Sequence, residues 1–89
     1  NDSLSTRFYH LAEVLLKVGH PDTAREAIVQ AVELEPKNPK YLDLLIEIAI
    51  ICGDQSLAKD SYNELRLVNP DNRKLVEFRE KIEVMQTLG

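Results

Sequence analysis

The stretch AREAIVQAVELEPKNPK (Ala24–Lys40) returns 34 residues later as AKDSYNELRLVNPDNRK (Ala58–Lys74), with Ala, Pro, Asn and Lys at matching places. Working outward, the same offset pairs Leu11 with Leu45, Glu13 with Glu47, Gly19 with Gly53 and Ile48 with Ile82. Conservative pairs such as Val14/Ile48, Leu16/Ile50, Arg25/Lys59 and Leu34/Val68 lie between them. The chain is an internal repeat, and its period bounds the architecture before any single residue is interpreted.

Inside each copy the apolar spacing is helical. Phe8, Leu11, Ala12 and Leu15 fall on one stripe of a helix, as do Leu42, Leu45, Ile46 and Ala49 in the second copy. A second stripe follows each glycine: Ala24, Ala27, Ile28 and Ala31, then Ala58, Ser61, Tyr62 and Leu65. Gly19 and Gly53 suit the left-handed residue that ends a helix, Pro21 suits a first helical position, and Asp54 suits an N-cap. Pro36 and Pro70 follow the second helices, and Asn38-Pro39 reads as a cap plus a first-turn proline. These signals predict helices over about 4–18, 21–34, 39–52, 55–68 and 72–88, an all-α fold of two helical hairpins and one further helix.

A helix-turn-helix period of 34 residues resembles the tetratricopeptide repeat (TPR) family. The first unit carries the pattern in Phe8, Leu11, Ala12, Leu15, Ala24, Ile28, Ala31 and Pro36, and the second in Leu42, Leu45, Ile46, Ala49, Ala58, Tyr62, Leu65 and Pro70. Ile46 is large where the family has a small residue, and Ala49 is small where it has Tyr, which reads as one exchange of volume between neighbouring turns. The resemblance covers about residues 4–88. It implies an α-solenoid forming a single domain over 1–89: repeat 1 at about 4–36, repeat 2 at about 38–70 and a capping helix at about 72–88.

Stacking implies further expectations. Tyr41, Leu44 and Ile48, and then Leu75, Phe78, Ile82 and Met85, would pack back onto the preceding hairpin. The equivalent residues Arg7, His10 and Val14 are mostly polar, which reads as a natural start to the stack. Arg79, Glu80 and Glu83 would face water and make the last helix a cap. Ala24 and Ala58 would mark the tightest helix contacts, where Leu overpacks by about 1–3 kcal/mol.

Composition narrows the function. The 89 residues are 44% hydrophobic and 29% charged with three Gly, which describes a folded chain with room for one core. A net charge of −4 without a basic cluster argues against nucleic acid and anionic membrane as partners. The apolar run LLIEIAIIC is too short to span a bilayer and is broken by Glu47. The single Cys52 allows no internal disulfide, reads as a buried small residue, and points to a cytoplasmic location. Asn1 in place of Met predicts a longer natural protein. His10 and His20 stand in a free face and a turn, no CxxC or glycine-rich phosphate loop occurs, and the carboxylates are spread along amphipathic helices. Neither catalysis, metal nor cofactor is predicted.

The resemblance implies a non-catalytic adaptor that binds a protein or peptide segment on the concave face lined by the first helices. Helical geometry puts Thr6, Tyr9, Glu13, Leu16 and Lys17 there, then Lys40, Asp43, Glu47, Ile50 and Ile51, then Lys74, Glu77 and Lys81. Glu13, Asp43 and Glu47 beside Tyr9, Leu16 and Ile50 favour a segment with Lys or Arg next to an apolar anchor. Solvation alone also accounts for charges on an exposed helix face. Family members that grip acidic chaperone tails do so with Lys and Asn. Tyr9, Glu13, Asp43 and Glu47 stand at those places here, so no binding to EEVD-ended peptides is expected. The alternative is a structural role, either homodimerisation or docking inside a larger protein such as an enzyme, through Ile50, Ile51, Val84 and Met85.

Overall fold

Among the described residues five helices of equal length follow one another: α1 (Leu4–Lys17), α2 (Pro21–Leu34), α3 (Pro39–Cys52), α4 (Gln55–Val68) and α5 (Leu75–Leu88). They are seen in a computed structural model that describes residues 3–88, with side chains through Thr87. Asn1, which figured in the reading of the chain start, lies outside the described residues, as do Asp2 and Gly89. No strand occurs among the described residues, and none of their helices is long and apolar enough to cross a membrane.

Local chemistry sets the helix ends. Ser3 accepts a hydrogen bond from the Thr6 amide at 3.2 Å, Asn38 from the Lys40 and Tyr41 amides at 3.0 and 3.4 Å, and Asp54 from the Leu57 amide at 3.2 Å. Each such cap contributes about 1 kcal/mol by satisfying an otherwise orphaned donor. α2 has no side-chain cap at His20 but begins with Pro21, whose missing N–H is no loss at that position. Gly19 and Gly53 adopt φ of 89° and 72°. This left-handed turn lets the His20 amide donate to the Leu15 carbonyl at 2.8 Å and the Asp54 amide to Ala49 at 2.9 Å.

α5 starts three residues later than expected. Asn38 is followed by Pro39, which presets the first helical φ, whereas Asn72 is followed by Arg73. Without the proline, the Asn72 side chain accepts from the Lys74 amide at 2.8 Å and its carbonyl from the Leu75 amide at 3.3 Å. These bonds close a turn over 72–74 before regular helix begins.

Helices pack on their chain neighbours, α1 on α2, α2 on α3, α3 on α4 and α4 on α5, and α5 also touches α3. The radius of gyration, 12.5 Å, is near the roughly 12 Å of a compact chain of this length. One core cluster joins Tyr9, Ala12, Ala24 and Ile28 to Tyr41, Leu45 and Ile48. A second joins Leu42, Ile46 and Leu65 to Leu75 and Phe78 of α5. A third contains Ala49, Ala58 and Ile82. Ala24, Ala49 and Ala58 are all fully buried, and bulky Ile46 packs in the second cluster while small Ala49 meets Ile82 in the third. The exchanged volumes therefore serve two different helix contacts.

The outer face of α1 departs from expectation. Leu11 was assigned to the buried stripe but is 47% exposed, whereas its repeat partner Leu45 is 4% exposed. Leu45 lies in the cluster formed with α2, and no described helix covers Leu11 in the same way. Together with Leu4, Val14 and Val18, each more than half exposed, Leu11 makes this face apolar rather than mostly polar. Arg7 and His10 are exposed beside it.

Candidate functional site

The residues expected to line one face come from α1, α3, α5 and the turn before α5, and the structure joins most of them. Tyr9 is only 8% exposed because it stacks on Tyr41, with ring centroids 5.2 Å apart and planes at 30°. The Lys40 ammonium stands 5.0 Å from the Tyr9 centroid, a cation–π distance. Burial, and after it the Glu13 carboxylate with smaller contributions from Asp43 and Glu47, pushes the Tyr9 hydroxyl up to about 12. The ring thus stays neutral and serves as a floor for the surrounding charges.

Next to it, the Lys74 ammonium lies 3.5 Å from Asp43 and 3.7 Å from Glu47. Asp43 is the main cause holding the Lys74 pKa above its ordinary value, burial opposes it, and Glu47 adds to the rise. The cation between these carboxylates is Lys74, 31 residues from Asp43, and Lys40 stands over Tyr9. The face therefore carries opposed charges already in contact, with Glu13 outside any ion pair among the described residues.

The remaining members separate. Ile50 and Lys81 border one groove of about 380 Å³ together with Glu80, Val84 and Met85. Three of the four apolar residues named for self-association, Ile50, Val84 and Met85, line this groove, and Ile51 is 57% exposed. Leu16 is partly buried against the first core cluster, and Glu77 pairs along α5 with Lys81 at 3.0 Å. Cys52 is partly buried against the same cluster as Leu16. Burial pushes its thiol up, Arg25 opposes this, and Asp22 and Asp54 add to the rise, so the thiol is held away from the reactive thiolate form.

A polar network at the end of this face was not read from the sequence. Ser5 is 3% exposed and donates to the Glu35 carboxylate, while the Tyr41 hydroxyl donates to Ser5 Oγ at 3.3 Å. Thr6 Oγ1 lies 3.4 Å from the same hydroxyl, and Asn38 Nδ2 donates to Glu35 at 3.3 Å. The signal available was that Ser5 sits four residues before Tyr9 and seven before Ala12, in register with the buried stripe. Buried polar groups need partners, and this network satisfies Ser5 while fixing Tyr41 beneath the face.

Arg25 provides a second tie. It reaches Asp54 at 3.3 Å and Asp22 at 3.7 Å, linking α2 to the residue that caps α4. No family model matches the chain, and no curated protein matches it either.

Proposed function

We propose that the chain is a non-catalytic interaction module of the tetratricopeptide type, a short α-solenoid that binds a protein segment along the face of α1, α3 and α5. One observation carries this reading. Residues from successive parts of the chain meet on the same face, where Lys74 joins Asp43 and Glu47 beside the Tyr9–Tyr41 stack. An extended segment placing a Lys or Arg near Glu13, Asp43 and Glu47 and an apolar side chain near Ile50 would meet matching chemistry across α1 and α3.

Lys74 already occupies part of the acidic site, so an incoming cation has to replace it. A fluorescent peptide with Lys or Arg next to a Leu anchor serves as the probe. Binding should weaken on Glu47→Lys and tighten on Lys74→Met, and an EEVD-ended peptide should leave amide chemical shifts unchanged. Equal affinity of all three proteins for the basic peptide would remove this face from consideration.

A further inference from the structure

A second surface shares none of the charged residues of that face. Between α2 and α4, with Leu42 and Leu45 of α3 also lining it, is a groove of about 240 Å³ whose walls include Val29, Val32 and Leu57. Glu33, Asp60 and Glu64 stand around it, and no Lys or Arg lines it. None of the three carboxylates belongs to an ion pair among the described residues. The volume is below the roughly 300–1,000 Å³ of small-molecule sites and fits one or two apolar side chains. An occupant must bring an apolar anchor and positive charge together.

The chain itself carries such an element. Leu4, Leu11 and Val14 of α1 and Val18, which caps its end, are 57%, 47%, 55% and 60% exposed. Their spacing of seven, three and four puts them on one stripe of the helix, the arrangement by which a helix anchors in an apolar groove. Arg7 lies within the stripe, and His10 and Lys17 flank it. The only acid of α1, Glu13, sits on the side turned toward Tyr9. α1 is the one net-positive helix of the five in a chain whose net charge is −4.

We propose that α1 of one copy docks in the α2/α4 groove of a second copy. Within a single copy α1 is packed on α2 with its stripe facing solvent, so the contact forms between molecules. A single head-to-groove contact leaves a free groove on one copy and a free head on the other, so the association closes as a reciprocal pair or a ring, or continues as an open chain. The interface lies apart from the face of α1, α3 and α5 and does not depend on the ligand reading.

The test is sedimentation of the 89-residue chain over about a hundredfold range of concentration at low and high salt. The expected mass rises steadily with concentration and falls back when salt is added. Leu11→Glu removes the head, and Asp60→Lys with Glu64→Lys removes the groove. All three positions are exposed, and circular dichroism verifies that both variants remain helical. Each variant alone should associate at least about tenfold more weakly, because a charge or a repulsion is placed at the contact. Mixed together they should form a one-to-one pair, since one still carries an intact groove and the other an intact head. A wild-type mass that stays monomeric overturns the proposal and leaves the groove to a basic helix of another protein. Variants that fail to pair when mixed overturn it as well.

Discussion

Phe78→Ala is the sharpest probe of what holds the fifth helix. Phe78 is 2% exposed and packs with Leu42, Ile46 and Leu65, residues of α3 and α4. Truncating it removes buried ring surface and leaves a cavity that neighbours can fill only in part, at about 3–5 kcal/mol. Total stability for a chain of this size is roughly 4–13 kcal/mol, so the variant loses a large share of it. With a urea slope near the low end, about 1.5 kcal/mol per molar, the unfolding midpoint should fall by about 2–3 M.

The control is Val76→Ala. Val76 lies two residues away on the same helix, is 56% exposed, and should shift stability by less than about 0.5 kcal/mol. Chemical denaturation followed by circular dichroism measures both. If α5 is a working part of the core, the Phe78 variant unfolds in one transition at lower urea, with little change in slope. A midpoint matching that of the Val76 control would falsify the assignment of α5 as a packed cap. A separate early loss of about one helix of signal would show that α5 is held independently of the first four.

Three further outcomes follow from particular contacts. Ala24→Leu and Ala58→Leu each place three more carbon atoms at a fully buried position and should each cost about 1–3 kcal/mol in thermal or urea unfolding. Asp54→Ala removes both the α4 cap and the partner of Arg25 and should cost about 1–2 kcal/mol. Asp54→Asn keeps the cap and should retain most of that, because the ion pair is about a third exposed and screened. Tyr9 binds its proton more tightly when folded, up to about 12, than its ordinary value near 10. Its contribution to stability is therefore intact below about pH 10 and lost as pH rises toward about 12, and Tyr9→Phe should remove that decline in urea titrations at alkaline pH.

The helices were legible because their punctuation is local. Gly19, Pro21, Asn38, Pro39, Gly53 and Asp54 act within a few residues of themselves, and repetition after 34 residues doubled the glycine and asparagine marks, Gly19 with Gly53 and Asn38 with Asn72. The start of α5 was misplaced where one such mark, a proline after Asn72, is missing. Leu11 shows a different limit. Repeat arithmetic equates it with Leu45, but burial depends on which helices cover the residue: α2 packs over Leu45, whereas Leu11 is left 47% exposed among the described residues.

The candidate face was legible as a set of positions and not as a set of partners. Helical geometry placed Tyr9, Asp43, Glu47 and Lys74 on one side. Which cation meets which carboxylate is decided by the packing of α5 on α3, across 31 residues of chain between Asp43 and Lys74. Likewise, the burial of Tyr9 is set by Tyr41, whose hydroxyl is fixed by Ser5, a residue that composition alone would place at the surface.

These contacts divide the two duties of the region just before and within α5. Apolar residues Leu75, Phe78 and Ile82, none more than 8% exposed, hold the helix to the rest of the chain. Lys74, half exposed at 52%, meets Asp43 and Glu47 in pairs that contribute at most about 1 kcal/mol in water. A ligand cation that displaces Lys74 on the proposed binding face would therefore leave the core clusters intact. The weakness of the pair becomes the condition for exchange: a buried, tightly bonded lysine there would close the acidic site, whereas a screened one can move aside while Phe78 keeps α5 in place.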